Sequence, residues 1–239
     1  GRNPQSGLHA VFGQCRRGEL MRGVLFDLDG TLADTAPDLG WALNTLLAEH
    51  QRAPLPLTAI RPVASHGARG LIQLGFGMDR DHPDFERLRL RFFDLYDQHF
   101  AVDTVLYDGV QPLIEALAQR GLVWGIVTNK PMRFTDRLVP RLGFPVPPAA
   151  VVSGDTVGVA KPDPRPMHHA AQLAGVAAAR CLYVGDAERD IQAGRASGMV
   201  TVLAGYGYIA ATDTPAAWGA DHNIAAPLQL VELIDRIWV

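Results

Sequence analysis

Short apolar segments alternate with amphipathic segments through most of the chain, and this alternation predicts the fold. Apolar runs of three to five residues followed by polar turns are typical of buried strands. Such runs lie at 24–28, 123–127, 150–152, 181–184 and 200–203. Helical patterns follow several of them, and strands that alternate with helices favour a parallel sheet covered on both faces. We therefore expect an α/β fold whose core is a doubly wound, Rossmann-like parallel sheet.

The spacing of the predicted strands breaks once, between the first strand and the second. About ninety residues intervene there, where a short loop and one helix are the usual connection. Helical patterns fill most of this stretch, at 37–49, 68–76 and 83–100. We therefore predict a small α-helical cap domain at 36–104, inserted into a core domain formed by 21–35 and 105–239.

Composition excludes several other classes of protein. The 239 residues carry a net charge of −3, which provides no basic surface for nucleic acid or for an anionic membrane. The chain has no apolar run of about 18 residues, so we expect no membrane span. Two cysteines, Cys15 and Cys181, do not make a disulfide framework and indicate a reducing cytoplasm. Residues 1–20 have neither helical nor strand periodicity, and we expect a disordered extension there.

Two carboxylates stand at the end of the first predicted strand. Asp27 and Asp29 are two residues apart, so in an extended backbone their side chains point the same way. Gly30 allows the backbone to turn sharply directly after them. Two like charges in a buried position are unfavourable unless a metal ion or a proton compensates them. The pair therefore indicates chemistry rather than a structural role.

Polar residues also follow other strands and loops of the predicted core. They are Thr128, Asn129, Lys161, Asp186 and Asp190. Because Pro162 follows it, Lys161 is biased towards an extended backbone and a loop position. Asp190 comes four residues after Asp186, where one helical turn brings it alongside. The carboxyl ends of parallel strands meet at one edge of a sheet, so we expect these side chains to gather near Asp27.

Four segments in this order resemble the motifs of the haloacid dehalogenase-like hydrolase superfamily. Asp-Leu-Asp-Gly-Thr at 27–31 resembles the first motif, and Gly-Ile-Val-Thr-Asn at 125–129 resembles the second. Lys161 resembles the third, and Gly-Asp-Ala-Glu-Arg-Asp at 185–190 resembles the fourth. A helical cap inserted between the first two motifs is also typical of the superfamily. The resemblance extends over residues 22–239.

This resemblance implies an enzyme that hydrolyses phosphomonoesters through an aspartyl-phosphate. Asp27 would attack phosphorus, which is the covalent route open to a carboxylate. Asp29 would act as general acid towards the leaving alcohol and then as general base towards water. Thr128 and Lys161 would contact the phosphoryl oxygens, where negative charge develops during transfer.

The same resemblance implies Mg²⁺ as the cofactor. The ion would bind Asp27, the backbone carbonyl of Asp29 and Asp186, with Asp190 in support. An all-oxygen set with few carboxylates suits Mg²⁺. The cation would also reduce the repulsion between Asp27 and an anionic substrate.

The predicted cap contains one segment suited to recognising a substrate, at 65–70. Gly67 allows close approach of the backbone, and Arg69 has the geometry to pair with a carboxylate through two hydrogen bonds. We therefore select Gly67, Arg69, the neighbouring His66 and Asn129 of the core as candidate substrate-binding residues. A solvated arginine in the first turn of a helix is the alternative interpretation of Arg69.

Within the superfamily, the chain resembles the phosphoglycolate phosphatase branch and, in particular, the bacterial N-acetylmuramic acid 6-phosphate phosphatases of cell-wall recycling. The matching segments are Gly-Ala-Arg at 67–69, Val-Thr-Asn-Lys-Pro at 127–131, Arg-Phe at 133–134, Tyr-Gly-Tyr-Ile at 206–209 and Trp-Gly-Ala-Asp at 218–221. Both substrates are small phosphorylated metabolites that carry a carboxylate. N-acetylmuramic acid 6-phosphate is therefore the expected substrate, and 2-phosphoglycolate is the first alternative.

Other interpretations differ in what they require of the motifs. A β-phosphoglucomutase-like enzyme would keep all four of them and differ in the cap. A 2-haloacid dehalogenase would lack the acid at Asp29, and a phosphate-accepting signalling receiver would lack the insertion. A non-catalytic phosphate-binding module is disfavoured because Asp27, Asp29, Lys161 and Asp186 are all present.

Overall fold

A parallel sheet forms the centre of the structure, a computed structural model that describes residues 22–238. The extension predicted at 1–20 lies outside the described residues. The strands are β1 (Gly23–Phe26), β2 (Ala33–Asp34), β3 (Val105–Leu106), β4 (Val123–Val127), β5 (Ala150–Val152), β6 (Cys181–Gly185), β7 (Val200–Ala204) and β8 (His222–Ile224).

β1 lies inside the main sheet, whose strand order is β5-β4-β1-β6-β7-β8. All neighbouring strands in this sheet are parallel. Leu25 of β1 pairs with Gly125 on one side and with Tyr183 on the other. Val24, Leu25 and Phe26 are fully buried, as expected for a central strand with both faces covered. The predicted fold class, a doubly wound parallel sheet with an inserted helical cap, is confirmed.

The apolar pattern located every strand of this sheet except the edge strand β8. The observed bounds of β4 and β5 match the predicted ones, and β6 and β7 are one residue longer. In β8, Ile224 is buried but His222 and Asn223 are not. A strand with one buried residue has no apolar run, so hydrophobic periodicity does not indicate it.

Nine α-helices and four short 3₁₀ helices surround the strands in the described part of the chain. The α-helices are α1 (Ala36–Glu49), α2 (Leu57–Ile60), α3 (Gly67–Phe76), α4 (Phe85–Gln98), α5 (Val110–Gln119), α6 (Met132–Leu138), α7 (Arg165–Leu173), α8 (Glu188–Ala196) and α9 (Gln229–Ile237). The 3₁₀ helices are Arg61–His66, Val139–Arg141, Ala178–Arg180 and Pro215–Trp218. Among the described helices, none combines the length and the apolar character that crossing a membrane requires.

Two apolar clusters cover the two faces of the sheet. Val24 and Phe26 belong to one cluster, and Leu25 belongs to the other, because successive side chains of a strand point to opposite faces. The first cluster continues without a break into the cap, where it includes Leu43 of α1 and Phe92 of α4. The cap is therefore packed against the core by apolar side chains.

Helices α1 to α4 pack against one another between β2 and β3. The chain enters this unit through β2 and leaves it through β3, which pair antiparallel at Ala33 with Leu106. Asp38 in the first turn of α1 is buried and accepts hydrogen bonds from the backbone N–H groups of Asp103 (3.0 Å) and Thr104 (2.9 Å). These contacts join the two ends of the insertion, and they support the cap boundaries proposed at 36–104.

Helix α4 of the cap also contacts helix α6 of the core. The ring centroids of Tyr96 and Phe134 are 4.9 Å apart. Asp97 forms ion pairs with Arg133 and with Arg137, the latter at 2.5 Å. Since α6 begins shortly after β4, these contacts place the cap over the carboxyl edge of the sheet.

Candidate active site

The polar residues predicted in the core lie at the carboxyl ends of neighbouring strands. Asp27 directly follows β1, Thr128 directly follows β4, and Asp186 directly follows β6. Since β1 lies between β4 and β6, these residues meet at one edge of the sheet. Lys161 reaches the same place from the loop after β5. The structure thus brings together the core residues that the sequence selected.

Asp27 is buried beside the ammonium group of Lys161. Lys161 Nζ lies 3.0 Å from Asp27 Oδ1, and the two side chains are 0% and 4% exposed. The ammonium also donates to the Val127 carbonyl (2.8 Å), the Tyr183 hydroxyl (2.6 Å) and Asp190 Oδ1 (2.8 Å). Burial and, next, the charge of Asp190 raise the pKa of Asp27 to about 6, although Lys161 opposes the shift. The Asp27 carboxylate is therefore an anion that its surroundings compensate only in part.

Asp186 is fully buried and accepts hydrogen bonds from both core and cap. The backbone N–H of Tyr208 donates to Oδ2 (2.7 Å), as does the Ser65 hydroxyl (2.8 Å), and the Thr31 hydroxyl donates to Oδ1 (3.3 Å). Burial and, next, the charge of Asp27 raise the pKa of Asp186 to about 8. Like Asp27, Asp186 lies in a position that favours a nearby cation.

Asp190 holds other parts of the site in place. Its Oδ2 accepts a hydrogen bond from the backbone N–H of Ala187 (3.0 Å), at the start of α8, and its Oδ1 accepts one from Lys161. Burial opposes ionisation, but the charges of Lys161 and Arg189 prevail and lower the pKa of Asp190. Asp190 therefore supports Lys161 and the start of α8, and its predicted part in binding a metal stays a prediction.

The acidic residues of the site fit a divalent metal ion. One carboxylate oxygen from each of Asp27, Asp186 and Asp190 lies within 4.8 Å of the others, and all three residues are buried. The backbone carbonyl of Asp29 is near as well, because the Ser65 hydroxyl oxygen lies 3.3 Å from it and 2.8 Å from Asp186 Oδ2. Carboxylate and carbonyl oxygens are the ligands that hard divalent cations prefer. A cation there would also relieve the repulsion that raises the pKa values of Asp27 and Asp186.

Asp29 forms an ion pair with Lys130, a residue that the sequence analysis did not select. Lys130 Nζ lies 3.0 Å from Asp29 Oδ1, and the Thr35 hydroxyl donates to the same oxygen at 2.5 Å. The Lys130 ammonium lies over the ring of Tyr96, 4.8 Å from its centroid. Burial opposes protonation of Lys130, but Asp29 and then Tyr96 outweigh it and raise the pKa of the ammonium. Lys130 therefore stays protonated beside Asp29.

Thr128 and Asn129 occupy the turn after β4. Thr128 is buried, and its hydroxyl accepts a hydrogen bond from the backbone N–H of Lys130 (3.1 Å). Asn129 uses both ends of its amide on Lys161, donating to the backbone carbonyl and accepting from the backbone N–H, each at 2.9 Å. Asn129 thus fixes the loop that carries Lys161, and its predicted contact with substrate stays a prediction.

The 3₁₀ helix Arg61–His66 brings the cap to the acidic cluster. Arg189 of α8 donates to the Ser65 carbonyl and contacts Nδ1 of His66 at 3.0 Å. Arg61 pairs with Asp34 of β2. The predicted residue His66 is therefore engaged by the core, and Ser65 is the cap residue that reaches the acidic residues themselves.

Gly67 and Arg69 stand at the start of α3, further from the acidic cluster. Gly67 has a φ of +59°, and a Cβ there would meet nothing within 4 Å, so the backbone is open on that side. Arg69 forms two hydrogen bonds with the carboxylate of Asp79, at 2.8 and 2.9 Å, and both side chains are about half exposed. The predicted carboxylate-binding arginine thus already holds a carboxylate of its own cap.

A cavity of about 560 Å³ lies between the core and the cap. The cavity is lined by the predicted catalytic residues Asp27, Asp29, Thr128 and Lys161. Lys130 and all of the candidate substrate-binding residues line it as well. The remaining lining includes aromatic rings and arginines of the cap, among them Arg80, Phe85, Arg89, Phe92, Phe93 and Tyr96. Its size falls in the range of roughly 300–1,000 Å³ that is usual for pockets of drug-sized ligands.

Four residues that contact the site were not selected from the sequence: Ser65, Lys130, Arg189 and Tyr208. Each lies inside or next to a segment that was recognised, so the segments located the site correctly. Which side chain of a segment points into the site depends on the fold of the cap and on the course of the backbone after each strand. The local signals were a positively charged residue inside the fourth motif, Arg189, and another directly after the second motif, Lys130.

Comparison with known proteins agrees with this arrangement. Residues 21–198 match the family described as haloacid dehalogenase-like hydrolase. An N-acetylmuramic acid 6-phosphate phosphatase of Pseudomonas aeruginosa is 42% identical over 216 residues, which are 90% of this chain and 96% of that protein. A phosphoglycolate phosphatase of Xanthomonas campestris pv. campestris is 43% identical over 211 residues, which are 88% of this chain and 95% of that protein.

Solved structures share the fold. The crystal structure of a predicted phosphoglycolate phosphatase from Haemophilus somnus has a TM-score of 0.76, with 23% sequence identity over 89% of this chain and 97% of that one. At this identity the similarity concerns the fold alone. Together with the sequence matches, it confirms the resemblance inferred from the four motifs, and the chain belongs to the haloacid dehalogenase-like hydrolases, as a phosphatase of that family.

Proposed function

We propose that this phosphatase hydrolyses N-acetylmuramic acid 6-phosphate with Mg²⁺ as its cofactor. The observation that carries the proposal is the placement of Asp27 and Asp29, each beside a buried lysine, in the wall of a cavity of about 560 Å³. A sugar phosphate with an acetamido and a lactyl substituent suits this volume, whereas the two-carbon 2-phosphoglycolate would leave most of it to water. The Pseudomonas aeruginosa relative, which bears the name of the sugar-acid substrate, supports the same choice.

In the proposed reaction, Asp27 attacks the phosphorus of the ester. A bond forms between a carboxylate oxygen of Asp27 and phosphorus, and the bond from phosphorus to the sugar oxygen breaks. Asp29 gives its proton to that oxygen, so the sugar leaves as an alcohol. Asp29 then takes a proton from a water molecule, which attacks the aspartyl-phosphate and releases inorganic phosphate and the Asp27 carboxylate.

Several groups bind the phosphoryl oxygens and the metal during these steps. The Lys161 ammonium lies 3.0 Å from Asp27, and Thr128 lines the same cavity, so both would contact the phosphoryl oxygens. When bound by Asp27, Asp186 and the carbonyl of Asp29, Mg²⁺ supplies positive charge that stabilises the phosphoryl oxygens. Positive charge is needed there because two carboxylates and the substrate are all anionic.

Two polar atoms in the cavity wall suit a polar ligand. The Tyr96 hydroxyl and the Arg189 Nε are both buried and have no hydrogen-bond partner among residues 22–238. Buried polar groups are normally paired, so we propose that each forms a hydrogen bond with a bound sugar phosphate after a small rotation of its side chain. The aromatic rings of Phe92 and Phe93 provide apolar surface for the rest of the sugar.

The substrate carboxylate would be recognised at the arginines of the cap. Arg69 is bound to Asp79, so a substrate carboxylate must displace that partner. Arg89 is bound to Glu86 in the same bidentate manner. Arg80 forms no ion pair with any other described residue and lines the same cavity, which makes it a second candidate. We propose Arg69 as the primary contact, as the sequence indicates, with Arg80 beside it.

The second candidate function is hydrolysis of 2-phosphoglycolate. The Xanthomonas campestris relative favours it, since that protein is named for this substrate at 43% identity. Both reactions would take place on a small phosphorylated metabolite that carries a carboxylate. We propose that either reaction takes place in the cytoplasm, because the chain has two cysteines and therefore no disulfide framework.

The test measures phosphate release from N-acetylmuramic acid 6-phosphate, 2-phosphoglycolate and N-acetylglucosamine 6-phosphate, with Mg²⁺ and with EDTA. The third compound lacks the 3-O-lactyl substituent of the first, including its carboxylate, and is otherwise the same sugar phosphate, so it is the matched control. We expect kcat/KM to be highest for the first, activity to disappear with EDTA, and Asp27→Asn to abolish turnover in a folded protein. A higher kcat/KM for 2-phosphoglycolate would show that the second candidate function is the correct one. An active Asp27→Asn variant would refute the mechanism.

The arginine assignment needs its own comparison. Arg69→Ala should raise KM for N-acetylmuramic acid 6-phosphate and leave KM for N-acetylglucosamine 6-phosphate nearly unchanged. An effect of this kind in Arg80→Ala but not in Arg69→Ala would show that Arg80 holds the carboxylate.

A further inference from the structure

Lysine is very rare in this chain. Of its 22 lysine and arginine residues, two are lysines, Lys130 and Lys161. All of the others, including those on the exposed faces of the cap, are arginine. The two residue types are not interchangeable, because a lysine ammonium is a compact point charge and an arginine guanidinium is a planar fork.

Both lysines are buried at the active site, and each contacts one of the two carboxylates of the first motif. Lys161 Nζ lies 3.0 Å from Asp27 Oδ1, and Lys130 Nζ lies 3.0 Å from Asp29 Oδ1. Their side chains are 0% and 5% exposed. A lysine in the third motif is part of the family pattern, whereas Lys130 lies outside the residues that the motifs assign to chemistry.

The hydrogen bonds that the described residues make to the Asp29 carboxylate are all on one of its two oxygens. Lys130 Nζ (3.0 Å) and the Thr35 hydroxyl (2.5 Å) both approach Oδ1. Within residues 22–238, no donor is bound to Oδ2. Asp29 also lines the cavity, so the oxygen without a partner is the one available to exchange a proton with a bound substrate.

The position of Lys130 depends on the cap. Its ammonium lies between Asp29 of the core and the ring of Tyr96 in helix α4, 4.8 Å from the ring centroid. A cation over an aromatic face is attracted to it, and the ring excludes water from the ion pair. Helix α4 of the cap therefore supplies one of the two groups that hold the Lys130 ammonium.

We propose that Lys130 is a positioning residue for proton transfer: it holds Oδ1 of Asp29 so that Oδ2 faces the leaving group. This proposal rests on the function proposed above and adds a residue to it. Lys130 does not touch the reacting atoms, and it acts on the reaction through Asp29. The ring of Tyr96 lies over the Lys130 ammonium, so the cap takes part in this orientation.

A comparison of leaving groups tests the proposal. An alkyl phosphate such as N-acetylmuramic acid 6-phosphate needs a proton on its leaving oxygen, and p-nitrophenyl phosphate does not. General acid catalysis contributes about 10²–10⁴-fold, so Lys130→Met should lower kcat/KM for the alkyl phosphate by at least tenfold more than for the aryl phosphate. Equal losses on both substrates would overturn the proposal.

A double-mutant cycle provides a second, independent test. If Lys130 acts through Asp29, then Lys130→Met should lower kcat/KM for the alkyl phosphate less than threefold when Asp29→Asn is already present. If its full effect persists on that background, Lys130 acts by another route and the proposal is wrong.

A spectroscopic measurement keeps the proposal testable even if Lys130→Met does not fold. With lysine labelled by ¹³C at Cε, this chain gives two side-chain signals, because it has two lysines. Asp29→Asn should shift the Lys130 signal and leave that of Lys161 nearly in place, and Asp27→Asn should do the reverse. A Lys130 signal that does not respond to Asp29→Asn overturns the contact itself. This measurement does not depend on turnover. A failure of the proposed function would appear separately, as a wild-type enzyme that releases no phosphate from the proposed substrates.

Discussion

The hydroxyl of Tyr208 offers a sharp test of how the core supports the cap. It accepts hydrogen bonds from the backbone N–H groups of Thr35 (2.8 Å) and Ala36 (3.0 Å) and donates one to Asp34 Oδ1 (2.7 Å). A hydroxyl has two lone pairs and one proton, so all of its capacity is used. Thr35 and Ala36 stand at the start of α1, where backbone N–H groups have no partner within the helix.

Replacement by phenylalanine removes this oxygen and keeps the ring. Thr35 and Ala36 are fully buried and Tyr208 is 3% exposed, so water has little access to the two freed N–H groups. A buried donor without a partner costs about 1–3 kcal/mol. Asp34 also loses a hydrogen bond, but it keeps its ion pair with Arg61, so its loss costs less than that of the two N–H groups. At this cost for each of the two N–H groups, we expect Tyr208→Phe to lower the free energy of unfolding by about 2–6 kcal/mol.

The assay is equilibrium unfolding in urea, with Tyr206→Phe as the matched control from the same loop. The Tyr206 hydroxyl makes one hydrogen bond, to the Thr31 carbonyl at 2.7 Å, so its removal frees one acceptor, whereas Tyr208→Phe frees two donors. Its loss should cost about 1 kcal/mol. If Tyr208→Phe destabilises the protein no more than Tyr206→Phe does, the argument from unsatisfied N–H groups is refuted.

Three further predictions concern the metal site and the buried cysteine. Gly207→Ala should weaken Mn²⁺ binding at least tenfold by calorimetry, because its Cβ would lie 2.2 Å from the Cβ of Asp186; wild-type affinity would contradict the contact. In a Cys15→Ser variant, Cys181 should react with Ellman's reagent at pH 8 about 100-fold more slowly in the native state than in urea, because burial raises its pKa to about 11. Similar rates in both states would show that the thiol is accessible. Burial and the charge of Asp27 raise the pKa of Asp186 to about 8, so without metal the folded state binds a proton more tightly than the unfolded state. The stability of the metal-free protein should therefore fall as pH rises from about 4 to 8. Mg²⁺ removes this penalty, and it should raise Tm more at pH 8 than at pH 5.5; an equal rise at both would contradict the assignment of the ligand.

The sheet and the core half of the site were predictable because local rules determine them. An apolar strand places Asp27 at its end, and parallel strands bring Thr128 and Asp186 to the same edge. These inferences need the order of residues along the chain and nothing from distant segments. The short strand β8 was missed because two of its three residues are polar and partly exposed or exposed.

The residues missed at the site depend on contacts between distant segments. Lys130 is two residues after Thr128, but its ammonium is directed by Asp29, 101 positions away, and by Tyr96 of the cap. Arg69 has a partner in Asp79 because α3 ends at Phe76 and the following loop folds back. Periodicity describes one element at a time, so it does not supply the partners that another element provides.

The antiparallel pair of β2 and β3 has a consequence for how such enzymes diversify. Since the insertion leaves and re-enters the core on adjacent strands, it is topologically a loop of a hairpin, whatever its length. Closing a longer loop costs only about 0.6 kcal/mol for each doubling of its length. The segment between these strands is therefore free to be enlarged, shortened or exchanged in evolution while the register of β1 and the placement of Asp27 stay constant. New substrates become accessible by replacing the insert, while the residues at the carboxyl ends of the core strands keep their places.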